Sequence, residues 1–217
     1  MYFVNRIDLG RSLARKAEHL KSQDAVVLCL KEDALSTSIG LASELNAWIY
    51  PLLIERIAIP GDPRVIGAIN QNGELCYNPG LSIYERQELE NENMALIQDM
   101  SRSAFSKLNR HTAMYGQLNI NSLNGRVIIL CADILRDQVE IAAALEILKP
   151  LRTQSIIGLI GNVTNDVADL VTIQSDKSDF MDVMTNMFDD EHYFEQPESY
   201  SVEERRQLAM NISQYWV

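Results

Sequence analysis

Three short, unbroken apolar runs, two of them followed by segments of helical periodicity, constrain this chain more than any other feature. AVVLCL at residues 25–30, GRVIILCAD at 125–133 and SIIGLIG at 155–161 show no regular alternation of apolar and polar residues. A strand with one wet face alternates; a strand buried on both faces does not, and such strands belong to parallel sheets covered by helices. Helical spacing follows the first run at Leu35, Ile39, Ala42 and Leu45, and the second at Val139, Ala142, Leu145 and Leu148. AWIYPLLI at 47–54 reads as a further strand, with Pro51 placing it at an edge or a bend. ADLVTI at 168–173 reads as a last short one. The pattern predicts an α/β fold: a parallel sheet of about five strands with helices on both faces.

Between the first and second halves of that alternation lies a different pattern. PGDP at 60–63 is a rigid turn. RVIGAI and ELCYN then flank residues 70–73, and Asn72-Gly73 supplies hairpin turn chemistry, so residues 64–78 are predicted to form a hairpin within a hood at 55–80. From Ser82 to about Asn109 the sequence is long, polar and helical, and Ser82 with Glu85 forms a capping box. Its apolar positions include Leu89, Met94, Ile97, Met100, Phe105 and Leu108.

The chain has 217 residues and a net charge of −11, which disfavours nucleic acid and anionic membranes as partners. No run approaches the roughly 20 apolar residues of a membrane span. The first 16 residues carry charges where a signal peptide needs its apolar stretch, so the expected compartment is the cytoplasm. Charge is unevenly placed. Residues 176–204 hold ten acids and one lysine, which sets off an acidic, aromatic C-terminal segment, 176–217, from an α/β domain at 1–175. Cys29, Cys76 and Cys131 include no Cys-x-x-Cys pair and are read as reduced, buried thiols.

In open α/β sheets ligands bind in the loops at the carboxyl ends of strands, here KEDALS at 31–36 and CADILRDQVE at 131–140. FVNR at residues 3–6, VVLCL, IERIAIPGDPRVIGAI and VIILCAD together resemble type I phosphoribosyltransferases. They look most like the stand-alone bacterial group described simply as predicted phosphoribosyltransferases. The resemblance extends over almost the whole chain, to YFEQPESYSVEE at 193–204, and PGDP followed by IGAI is its most specific piece. It implies a phosphoribosyltransferase-type fold with a hairpin hood. It also implies packing of the C-terminal segment on the domain, and a homodimer.

The resemblance further implies what the two loops should contain. The family's second-strand loop holds two adjacent acids on the ribose of phosphoribosyl pyrophosphate. A glycine and a threonine-glycine pair then wrap the 5′-phosphate with backbone N–H groups. Here Ala132 replaces the first acid and Asp133 remains. Ile134 stands in place of the glycine, Asp137 and Gln138 replace the threonine-glycine pair, and Glu140 replaces a hydroxyl residue. Each carboxylate at ~4–6 Å from a phosphate, at an effective dielectric near 20, costs on the order of several kcal/mol; Arg136 offsets part of this. Lys31, Glu32, Asp33 and Ala34 stand where the family has proline-arginine-glycine-glycine, and Glu55-Arg56 where it has arginine-lysine.

The expectation is therefore a phosphoribosyltransferase-like protein that has lost phosphoribosyl pyrophosphate binding and catalysis. It would act as a regulatory or ligand- or protein-binding homologue, with no catalytic residue, no metal and no cofactor. The candidate ligand-binding residues are Asp133, Arg136, Asp137, Lys31, Glu32, Asp33 and Arg56. The alternative is a divergent active transferase on a nucleobase-like substrate, using Asp133, Arg56 and Mg²⁺. A divalent cation on Asp133, Asp137 and Glu140 competes with a plain solvated loop, and a metal on His192 within FDDEHYF competes with a surface turn. Ser36, Thr37 and Ser38 carry no nucleophile motif, and His19 and His111 carry no partner signal. Phe188, Tyr193, Phe194, Tyr200, Tyr215 and Trp216 either dock a partner or fold across the ligand end of the sheet.

Overall fold

The computed structural model describes residues 2–116, 118–196 and 200–210; Glu198, Tyr215 and Trp216 lie outside them. Five parallel strands form the central sheet: β1 (Ala25–Cys29), β2 (Trp48–Pro51), β6 (Val127–Leu135), β7 (Ser155–Thr164) and β8 (Lys177–Met184), in the order β2-β1-β6-β7-β8. The unbroken runs sit at its centre, and every residue of β1 and β6 is buried. β2 is an edge strand, and Pro51, its last residue, pairs in register with Cys29. A second sheet is an antiparallel meander of β3 (Glu55–Ala58), β4 (Val65–Ile69) and β5 (Leu75–Tyr77). The predicted hairpin is its β4–β5 half. Gly73 turns it with φ +81°, and the Asn70 side chain accepts from the amides of Asn72 and Glu74.

Helices α1 (Arg6–Lys16) and α2 (Leu35–Leu45) pack together on one face of the parallel sheet. Their backbones cross closely. A Cβ on Gly10 would lie 2.0 Å from the Thr37 carbonyl oxygen, and one on Gly40 would lie 2.3 Å from that of Ile7. Helices α4 (Val139–Leu148) and α5 (Asn165–Gln174) cover the other face, as right-handed crossovers running the opposite way along the sheet require. The long helix α3 (Ile83–Tyr115) and α4 lie against the meander. Ser82 and Glu85 form the predicted capping box, and Asn93 kinks α3 at φ −128° while its amide donates to the Leu89 carbonyl.

Two expectations are corrected. ADLVTI is not a strand; it lies within α5, which buries Val167, Ala168 and Val171 on one side and leaves Ile173 exposed. A short apolar run fits either period, and length alone did not decide it. The fifth strand is β8, an edge strand with no fully buried residue. The parallel sheet thus continues past residue 175 into the acidic segment. Helix α1 was not foreseen, although Leu9 and Leu13 have helical spacing and the Asn5 side chain caps it by accepting from the Asp8 amide. The last described helix, α6 (Val202–Met210), lies against α2. No helix of the described residues is long and apolar enough to cross a membrane.

Candidate functional site at the strand switch point

The chain leaves β1 toward one edge of the parallel sheet and β6 toward the other. Their carboxyl ends therefore lie side by side where the connections diverge, which opens a crevice. Both loops singled out in the sequence meet there: the Lys31 ammonium donates to the Ile134 carbonyl oxygen at 3.2 Å.

The segment after Asp133 does not leave the sheet as a phosphate-binding loop would. Ile134 and Leu135 stay in register with Asn162 and Val163 of β7, and both side chains are buried. The Ile134 amide donates to the carboxylate of Asp133 itself at 2.8 Å. Only Arg136, Asp137 and Gln138 separate β6 from α4. Thr164 donates to the Arg136 carbonyl oxygen at 3.1 Å, and the Gln138 amide to that of Asp166 at 2.7 Å, so the connection is braced against the neighbouring loop.

Asp133 is 1% exposed and forms an ion pair with Arg6 Nε at 2.9 Å. Arg6, itself 4% exposed, also donates from both terminal nitrogens to Glu191 at 2.7 and 3.2 Å, and its guanidinium lies 4.6 Å from the centre of the Phe194 ring. One arginine from the start of α1 therefore joins the end of β6 to the C-terminal segment. That junction is continued by backbone bonds from Phe3 to the Tyr193 carbonyl and from Glu195 to the Phe3 carbonyl, both 2.9 Å.

The remaining candidates are partnered in the same internal way. Asp190 takes both cations at the mouth: Arg136 through Nε at 3.1 Å, and Lys31 at 3.6 Å. Arg136 also donates to the Phe188 carbonyl oxygen. Arg56, on β3, pairs with Asp137 and lies 3.6 Å from Glu140, whose second carboxylate oxygen is buried without a partner. Glu32 turns away toward α3, accepting from Tyr115 Oη at 3.2 Å, with His111 Nδ1 at 3.7 Å. Asp33 is exposed.

The crevice thus gathers Lys31, Arg136 and Asp133 at its rim and base. Asp133, Asp137 and Glu140 are divided between two arginines, and no cluster of three or more His, Cys, Asp or Glu able to hold a metal occurs among the described residues. Ser36, Thr37 and Ser38 are wholly buried under the crevice. Cys29 and Cys131 pair in register across β1 and β6. Burial pushes the Cys29 thiol up to about 12 against opposing hydrogen bonds from Ser38 and the Lys31 backbone, and pushes Cys131 up as well. Cys76 is half-buried. His192 lies on an exposed turn and meets Tyr2 Oη at 2.8 Å.

Arg6 was not singled out by the sequence, and Asp190 and Glu191 entered only as neighbours of His192 in a conceivable metal site. Their signals were present in weaker form: Arg6 inside FVNR, and the two acids inside an aromatic-acidic run for which folding across the ligand end was one of two readings. Tyr193 and Phe194 are buried within the chain's own fold, and Phe188 is exposed.

No protein-family model matches the chain, and no curated protein does. Among solved structures, TT1426 from Thermus thermophilus superposes with a TM-score of 0.71 at 15% identity, covering 96% of this chain and 97% of that one. A hypoxanthine phosphoribosyltransferase from Staphylococcus aureus gives a TM-score of 0.42 at 12% identity over 82% of this chain and 72% of that one. A purine phosphoribosyltransferase from Pyrococcus horikoshii gives 0.41 at 10% identity over 82% and 86%. The first establishes a shared fold with TT1426 and nothing about shared chemistry. The other two are partial likenesses.

Proposed function

We propose that this chain is a cytoplasmic, phosphoribosyltransferase-like protein that neither binds phosphoribosyl pyrophosphate nor transfers its ribosyl group, and that it acts as a regulatory or binding homologue. The observation that carries the reading is the continuation of β6 through Leu135. A phosphate cradle needs free amides pointing into a loop. At this position the Ile134 amide is taken by Asp133, and the next residues remain laddered to β7. The charges add to it. Asp133 would hold a ribose hydroxyl in an active relative, but here it is buried against Arg6. Lys31 and Arg136, the cations nearest the mouth, share the Asp190 carboxylate.

Transfer of a phosphoribosyl group depends on binding a polyanion and stabilising charge as the pyrophosphate leaves, so losing the anion site removes both. The net charge of −11 further argues against a nucleic-acid partner.

The second reading, a divergent transferase, is favoured by one feature. The Asp190 contacts are made by part-exposed side chains, and a stronger anion competing for Lys31 and Arg136 would open the mouth. The test is an assay of pyrophosphate release from phosphoribosyl pyrophosphate and Mg²⁺ with each common nucleobase. The proposal expects no release above the protein-free rate. Release that disappears in Arg136→Ala would establish the transferase instead.

A further inference from the structure

Beyond β8 the chain crosses the mouth of the crevice as a strap, and the two ends of that strap are held differently. The far end is fixed. Tyr193 and Phe194 are buried, and the amides of Phe3, Glu195 and Gln196 donate to the carbonyls of Tyr193, Phe3 and Val4, each at 2.9 Å. Residues 187–190 sit at the surface instead: Phe188 is 64% exposed and the Asp190 side chain 32%. Arg136 donates to the Met187 carbonyl at 3.5 Å, to the Phe188 carbonyl and to the Asp190 carboxylate, and Lys31 lies 3.6 Å from that carboxylate. The strap also shapes itself. The Phe188 amide donates to Tyr193 Oη at 3.0 Å, and the Asp189 carboxylate accepts from the Glu191 amide at 3.1 Å.

Lys31 follows β1 by two residues and Arg136 follows β6 by one, so both cations stand where an open α/β sheet takes its ligand. Two carbonyl oxygens and a carboxylate around a guanidinium, with the carboxylate shared by an ammonium, form the kind of oxygen shell that a bound oxyanion offers. Here the chain supplies it. Each ion pair joins part-exposed side chains and is weak taken singly. Tethering makes up the difference: a carboxylate held three residues from the buried Tyr193 competes at an effective concentration on the order of millimolar.

We infer that residues 187–190 are an autoinhibitory strap: Asp190 occupies Lys31 and Arg136 as a tethered anion, and its release turns the two cations into a site for a phosphate-class oxyanion. The inference rests on the reading that the resting crevice takes no polyanion, and it names the segment that keeps the crevice closed. The opened site needs no amide cradle, because two side-chain cations hold the oxyanion by charge. Arg6 stays with Asp133 and Glu191, so the far end of the strap is a fixed hinge and only the near end moves.

Calorimetric titration with inorganic pyrophosphate up to about 1 mM, where binding is already weak, tests this. The wild-type chain should give no saturable heat. Asp190→Ala should bind with a Kd about tenfold or more below that limit, and adding Arg136→Ala should abolish the binding. Asp189→Asn removes the same charge from the strap without freeing either cation, and should stay silent like the wild type. Hydrogen exchange should be faster over residues 185–190 in Asp190→Ala and unchanged over residues 193–196, which also verifies that the variant is folded. No binding by Asp190→Ala, binding that survives Arg136→Ala, equal binding by Asp189→Asn, or unchanged exchange over residues 185–190 would overturn the strap and leave the reading of the resting crevice standing. Pyrophosphate heat from the wild-type chain equal to that of Asp190→Ala would overturn both.

Discussion

The switch point and the outer face of α3 both pair their charges within the chain, and they differ in what else they leave at the surface. At the switch point the ion-pairing side chains are turned inward onto partners from the same chain: Arg6 on Asp133 and Glu191, Arg136 and Lys31 on Asp190, Arg56 on Asp137. Along α3 the charges are also paired, Arg86 with Glu90, Asp99 with Arg102, Lys107 with Glu55 and Arg64 with Glu88, but Ile83, Tyr84 and Met94 are left more than half exposed. The place where an α/β sheet usually receives a ligand is closed by charge pairs from the chain's own segments, and the peripheral helix keeps apolar groups in water.

The sharpest way to break that contrast is at Asp133. Removing one partner of a buried ion pair leaves an uncompensated charge and typically costs about 3–5 kcal/mol. Asp133→Ala should lower the urea unfolding free energy by that order; a loss below about 1 kcal/mol would mean that the Arg6 contact is an incidental one.

Next in size is an alkaline effect of the buried thiols. Cys29, raised from its usual value near 9 to about 12, keeps its proton in the folded state longer than in the unfolded one. The folded state then binds more protons, so stability is unaffected below about pH 8 and falls as pH rises through 9, by about 1.4 kcal/mol per pH unit for each such thiol. Urea midpoints between pH 8 and pH 11 should fall, and Cys29→Ala should make the decline shallower. A decline of equal steepness in the variant would place its cause elsewhere.

A smaller effect concerns Asp190. Its ion pairs are partly exposed, so Asp190→Ala should cost less than about 1 kcal/mol. Even so, the variant should bind inorganic pyrophosphate measurably where the wild-type chain does not, because Lys31 and Arg136 lose their shared carboxylate. The smallest expectation is for Arg102→Glu, whose exposed pair with Asp99 should change the urea unfolding free energy by less than about 0.5 kcal/mol.

The core of this fold was legible because its strands are buried on both faces, and a buried parallel strand needs little from its neighbours to be recognised. The α5 segment was misread as a strand because six apolar-rich residues satisfy either period. β8 was missed because KSDFMDVM opens on three polar residues and shows no regular alternation, so it was absorbed into an acidic tail. The loops of the site were also legible, since their positions follow from the strands before them. Their partners were not. Arg6 is 127 residues from Asp133, and Asp190 is 54 from Arg136. Pairings at that separation follow from how the sheet brings the two ends of the chain together, which no local pattern encodes.

The central claim is most directly tested by isothermal titration of the wild-type chain with phosphoribosyl pyrophosphate and Mg²⁺ at moderate salt. No binding heat up to millimolar ligand is the predicted result. Saturable, Mg²⁺-dependent heat with a micromolar Kd would contradict it and place a working anion site at the crevice between β1 and β6.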